Sequence, residues 1–139
     1  MKRLLLAVFS LGALAAIGRA ATPADELDAY LPLAAAPDHH KALFENEFVL
    51  VLDVSIAAGA TVPAHLHPWP AVFITLEPAH LVFKNLAGEI VREVQRPAEV
   101  DAKKPKVDWR TADVEPATVT NVGTNEMRAL RVELKFLKP

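Results

Sequence analysis

Glu47-Phe48-Val49-Leu50-Val51-Leu52-Asp53-Val54-Ser55-Ile56 is the stretch that decides the fold. Phe48, Leu50, Leu52, Val54 and Ile56 alternate with Glu47, Val49, Val51, Asp53 and Ser55. Alternation with period two sends successive side chains to opposite faces of a pleated ribbon. The segment therefore reads as a strand whose Phe48-to-Ile56 set faces a core.

The chain that follows repeats this pattern in shorter pieces. Ala58-Gly59-Ala60 ends the first strand. Beyond it Val62, Ala64 and Leu66 point one way and Pro63, His65 and His67 the other. Pro68-Trp69-Pro70 forms a rigid corner. Val72 to Leu76 and His80 to Lys84 flank Glu77-Pro78-Ala79, which reads as a tight hairpin, and Ala87-Gly88-Glu89 turns the chain into a strand over Ile90 to Gln95. Residues 97–105 are polar and read as a surface loop. Val107 to Thr111 and Thr118 to Val122 are short strands. In the closing strand Leu130, Val132, Leu134 and Phe136 alternate with Arg131, Glu133 and Lys135, and the apolar set is expected inside, together with Phe73 and Phe83. About eight short strands with closely spaced turns and almost no helix argue for an all-β antiparallel sandwich or barrel.

Upstream lie two segments of different character. Lys2 and Arg3 precede an apolar run from Leu4 to Ile17, and Gly18-Arg19-Ala20 places small residues before a cut at Ala21. Residues 1–20 thus read as a secretory signal peptide, too short for a spanning helix of about 20 apolar residues. Export to the periplasm or the medium follows as an expectation. Residues 21–38 read as a short N-terminal helix or arm, with Pro32 interrupting it and Pro37 after its end, covering an open edge of the domain at 39–137.

Composition fits one exported domain. The chain has 139 residues, 52% of them hydrophobic, and no cysteine. That size encloses one core without disulfides, and the lack of cysteine excludes thiolate metal sites and a cysteine nucleophile. Removing Lys2, Arg3 and Arg19 from 15 basic residues, against 17 acidic ones, moves the formal charge from −2 to −5. A mildly acidic surface suits neither nucleic acid nor anionic lipid, so neither is expected as a partner. Three glycines beyond residue 20 are too few for a phosphate loop or a dinucleotide fingerprint.

His65-Leu66-His67 is the candidate for chemistry. Residues i and i+2 of a strand share a face, about 7 Å apart along it, and two imidazoles so placed can converge on one divalent transition metal. A metal centre ordinarily needs three or four protein ligands, so the pair alone gives a weak site.

Gly59, five intervening residues and then His65 and His67 match the opening of the first cupin motif. The chain resembles the cupin superfamily, its small single-domain members above all, over most of residues 39–137. Phe44-Glu45-Asn46-Glu47 is similar to the family's opening strand, His65-Leu66-His67-Pro68-Trp69-Pro70 is the most specific match, and Asn121 with Gly123 resembles the end of the second motif. The resemblance implies a small antiparallel jelly-roll barrel, often dimeric, with a pocket inside. In metal-bearing members it also implies a glutamate shortly after the two histidines and a further histidine four residues before the asparagine. Here those positions hold Ala71 or Val72, and Ala117, while Pro78 or Ala79 replaces the closing glycine of motif one. Ala112, Val114 and Lys106 replace the upstream proline and glycines of motif two. Alanine and valine coordinate nothing, so two of four ligands are missing.

No other residue is expected to replace the missing ligands. Glu77 reads as a solvated turn residue at the far end of its strand, His80 as a half-exposed strand residue, and His39-His40 as a surface pair. Trp69, held between prolines, is a pocket lip or a packing residue, and Trp109 belongs to the core or an interface. Three functions compete on this reading. The first is an exported barrel binding a small molecule in a pocket lined by His65, His67, Trp69 and Thr75, without a complete metal site. The second is a metal-dependent enzyme of oxygenase or isomerase type, with a divalent transition metal bound weakly at His65 and His67. The third is a structural barrel whose pocket is filled by side chains, so pocket volume separates the first from the third. A homodimer is expected, through a strand edge or the arm.

Overall fold

The computed structural model describes residues 23–97, 101 and 103–137. The leader expected over residues 1–20 lies outside them. Nine strands and two short helices are formed by the described residues. Helix α1 is Pro23–Asp28 and α2 is Pro32–Ala35. The strands are β1 (His40–Glu45), β2 (Val49–Ile56), β3 (Thr61–His65), β4 (Ala71–Glu77) and β5 (Leu81–Asn85), then β6 (Ile90–Val94), β7 (Lys106–Arg110), β8 (Ala117–Asn121) and β9 (Met127–Leu134). No helix among the described residues is long and apolar enough to cross a membrane. Pro32 opens α2 instead of merely interrupting a helix, because its missing N–H is not needed in a first turn.

Two antiparallel sheets face each other. One has the order β1-β2-β9-β4-β7 and the other β3-β8-β5-β6. This is the expected jelly-roll arrangement. The expected hairpin at Glu77-Pro78-Ala79 is a crossover instead: β4 belongs to the first sheet and β5 to the second. Pro78 removes a ladder donor where the chain leaves one sheet for the other. The turn at Ala87-Gly88-Glu89 is a true hairpin, with Gly88 at φ 83 and Asn85 Oδ1 accepting the N–H groups of Ala87 and Glu89.

The core lies between the sheets. Leu50, Leu52, Val54 and Ile56 of β2 are buried, as the alternation requires. Val62, Val119, Leu81, Met127 and Ala129 meet them, with Phe73 and Phe83 packed against the cluster.

Three expectations about phase are corrected. Phe48 and Phe136 are exposed, not core, because both lie outside the paired strands. In β3 the register slips between Val62 and His65, so these two face inward together while Pro63 is exposed. A bulge changes which side chains share a face. In β9 the inward set is Met127, Ala129, Arg131 and Glu133, the opposite of the apolar alternation. Leu130, Val132 and Leu134 are half-buried on the other face.

Candidate metal centre and cavity

His40 opens β1, His65 closes β3, and His67 follows after Leu66. All three are buried. Their rings sit together, with centroids 4.8 Å apart for His40 and His65, 5.3 Å for His40 and His67, and 5.2 Å for His65 and His67. One ring nitrogen from each lies within 4.8 Å of one from each of the others. The reading of His39-His40 as a surface pair is therefore half wrong. His39 binds outward, its Nδ1 donating to Ser55 O at 3.0 Å, while His40 turns in. His39 lies in the turn before β1, and His40 is the first residue of that strand and its one buried position.

The arm sets His40 in place. Ala36, buried at the end of α2, offers its carbonyl to the backbone N–H groups of His39 and His40 and to His40 Nδ1 at 3.2 Å. The carbonyl of Tyr30 accepts Leu66 N–H between the other two histidines. One short arm thus fixes both sides of the cluster.

Each imidazole spends Nδ1 on an atom that only accepts. His65 Nδ1 lies 2.8 Å from Pro63 O, His40 Nδ1 lies 3.2 Å from Ala36 O, and His67 Nδ1 lies 2.6 Å from Glu133 Oε1. A carbonyl or carboxylate oxygen cannot donate, so Nδ1 carries the proton in all three rings. The Nε2 lone pairs remain, and no protein hydrogen bond takes them among the described residues. Burial holds all three rings neutral. His40 falls to about 3, through desolvation first and then the neighbouring His67 and His65 rings. His65 and His67 are lowered by burial as well, His67 far below its usual value with Arg131 adding to the effect.

Behind His67 stands a buried ion pair. Glu133 Oε1 also accepts Arg131 Nε–H at 3.0 Å, and Arg131 Nη2 donates to Trp69 O at 3.4 Å. Burial raises the Glu133 carboxyl and Arg131 opposes that. Two donors on one oxygen, one from a guanidinium, hold it as a carboxylate. Its other oxygen, Oε2, is buried without a partner. Asp113 Oδ2 accepts His67 N–H at 2.9 Å, closing the segment from the opposite side.

The donor set fits a transition-metal ion. Three neutral imidazoles suit zinc, copper, iron or nickel, and protons fixed on outer nitrogens by carbonyls and a carboxylate are the usual support of metal-binding histidines. Nitrogens within 4.8 Å of one another would tighten by about an ångström to reach metal–nitrogen bonds of about 2.1 Å. Ala71 and Ala117 add no ligand: Ala117 pairs with His65 across β3 and β8, and Ala71 is buried beside Glu133. Glu77 and His80 take no part. Glu77 lies 3.6 Å from Arg96, and His80 is held at 2.6 Å by Glu93.

His65 and His67 line a cavity of about 480 Å3 between the sheets, and Thr75 lines it too. Trp69 stands outside that lining, packed against the core with Lys135 Nζ 5.7 Å from its ring. Trp109 is exposed overall and borders the cavity, so it is not a core residue.

No protein-family model matches the chain, and no curated protein matches it. Solved structures do. A cupin domain from Bordetella pertussis Tohama I aligns at a TM-score of 0.53 and 18% identity, over 69% of this chain and 91% of that one. A double-stranded β-helix protein from Klebsiella pneumoniae aligns at 0.48 and 11% identity, over 81% and 90%. An RmlC-like cupin from Methanocaldococcus jannaschii aligns at 0.47 and 10% identity, over 68% and 77%. The first of these alignments shows the fold, that of a cupin domain.

Proposed function

On a barrel of this fold, we propose that the chain holds one divalent transition-metal ion at His40, His65 and His67 and receives a small organic molecule in the adjoining cavity. The observation that carries this reading is the shared tautomer in one cluster: three buried rings in mutual contact each have Nδ1 tied to an oxygen that only accepts, which leaves each Nε2 lone pair unspent. When bound there, such an ion supplies a Lewis-acidic centre with coordination positions left for water or a ligand. The protein's own part is to orient His67 through Glu133 and to keep all three rings deprotonated at Nε2.

The cavity of about 480 Å3 favours a ligand-binding barrel over one plugged by its own side chains. Oxygenase and isomerase chemistry both fit a three-imidazole centre beside such a space. Export through the leader over residues 1–20 belongs to the same proposal and rests on the sequence pattern. So does a homodimer, supported by the β1 edge strand, which exposes Leu43 and Phe44.

Chelator-treated protein titrated with zinc and nickel by calorimetry tests the metal site. One equivalent taken up by the parent and by His39→Ala, but not by His40→Ala, is expected. Equal uptake by His40→Ala, or none by the parent, would overturn it.

A further inference from the structure

The part of the cavity away from the histidines carries a second constellation. Directly opposed residues of paired strands point to the same face. Val62, Val119, Phe83 and Arg92 are opposed in turn across β3, β8, β5 and β6. Val62 and Val119 are buried, so Arg92 belongs to the inward face of the second sheet. In the first sheet Leu50, Glu133, Ala71 and Arg110 form the corresponding row across β2, β9, β4 and β7. Leu50, Glu133 and Ala71 are buried, so Arg110 is inward as well. Both arginines stand on the edge strand of their sheet, and both line the cavity.

Each lies over a phenylalanine. The Arg92 guanidinium carbon is 3.6 Å from the Phe83 ring centroid, and that of Arg110 is 5.1 Å from Phe73. A guanidinium stacked on a ring keeps its edge N–H groups free, and that edge matches a planar oxyanion such as a carboxylate. Of the acids lining this cavity, Asp108 and Asp113 are engaged, and Glu133 behind it is too, whereas Glu115 at the lining has no ion-pair partner among the described residues. Asp108 lies 3.2 Å from Lys106 and 3.9 Å from Arg110 Nη2, Asp113 holds the His67 backbone, and Glu133 holds Arg131. Arg92 has no ion-pair partner among the described residues. Arg92 keeps a solvent-exposed part at this edge strand, yet partial burial, then the charges of Arg110 and Arg131, work against its own charge, and Asp113 favours it.

We propose that the cavity binds a small organic monoanion of carboxylate type, its charged end on Arg92 and Arg110 and its apolar body turned toward Ile56, Leu81 and Met127. This rests on the cavity half of the proposed function and not on the metal half. The bound anion supplies the counter-charge that Arg92 lacks and adds to the long, shared Asp108 contact of Arg110, and the apolar wall selects a hydrocarbon body over a bare inorganic ion.

The test uses benzoate and its neutral analogue benzamide, measured by calorimetry or ligand-observed NMR on chelator-treated and zinc-loaded protein. Benzoate is expected to bind at least about tenfold more tightly than benzamide in both forms, since charge-assisted hydrogen bonds are worth that much. Arg92→Gln and Arg110→Gln are expected to remove the preference while keeping zinc uptake and the melting profile of the parent. Equal affinity for the two probes, no binding of either, or an unchanged preference in Arg92→Gln would overturn the proposal. Failure to take up zinc with the benzoate preference intact would instead sink the metal reading alone.

Discussion

Glu133 Oε1 lies 2.6 Å from His67 Nδ1, and no part of Glu133 reaches solvent. A carboxylate so placed does two jobs. It fixes the tautomer and aim of a candidate metal ligand, and it neutralises Arg131 inside the barrel. Glu133→Gln keeps the shape, retains one acceptor oxygen and removes the charge. Loss of such outer support ordinarily weakens metal binding by about 10–100-fold. It also leaves Arg131 buried without a counter-charge, which costs about 3 kcal/mol. Metal titration and urea unfolding of chelated protein should both register the change, and parent-like values in the two assays would show that Glu133 supports neither.

The neutral cluster makes the metal-free protein acid-sensitive. His40 is held at about 3 against 6.5 in an unfolded chain, and His65 and His67 are lowered too. Between those values the unfolded state binds more protons than the folded one. Stability is therefore full above 6.5 and is lost as pH falls toward about 3. Each uncoupled histidine contributes a slope of up to about 1.4 kcal/mol per pH unit in that window. Urea midpoints of chelated protein should fall steeply from about pH 6.5 to about pH 4.5, and less steeply in His40→Gln. A flat profile would refute the buried neutral cluster.

The barrel was legible because β2 obeys strict alternation and the Gly88 turn between β5 and β6 obeys local turn chemistry. The pair His65 and His67 was legible from its spacing. His40 was not, because its partners come from strands distant in sequence and nothing local distinguishes it from His39. The closing strand failed for a different reason. Its inward face is polar where the site lies, so Arg131 and Glu133 displaced the apolar set that hydropathy alone would turn inside. Alternation reports which two faces a strand has, and the neighbours decide which face is in.

That distinction has a measurable consequence in Phe136 and Leu52. Phe136 is 59% exposed and Leu52 is fully buried. Truncating a buried leucine ordinarily costs about 2–5 kcal/mol, through lost burial and the cavity left behind. Leu52→Ala should lose that much in urea unfolding, whereas Phe136→Ala should stay within about 0.5 kcal/mol of the parent, as exposed sites do. The reverse ranking would restore Phe136 to the core.

Asn121 ties three segments together at the far end of the barrel. Fully buried, it donates through Nδ2 to Ile56 O at 2.9 Å and Asn125 O at 2.8 Å, and its Oδ1 accepts Gly123 N–H at 3.0 Å. Gly123 is needed for closeness: a Cβ there would stand 3.1 Å from both Asn121 Oδ1 and the His80 backbone nitrogen. Asn121→Ala strips hydrogen bonds from backbone groups in the interior, at about 1–3 kcal/mol for each one left unsatisfied. Gly123→Ala leaves the amide in place but requires Asn121 Oδ1 and the His80 backbone to give by a few tenths of an ångström, at an expected cost of about 1–3 kcal/mol. Because both changes disturb one corner, the double variant should lose less than the two single losses added. Strict additivity in a double-mutant cycle would mean that the asparagine and the glycine act independently, and would separate the buried amide from the close approach that it is argued to require.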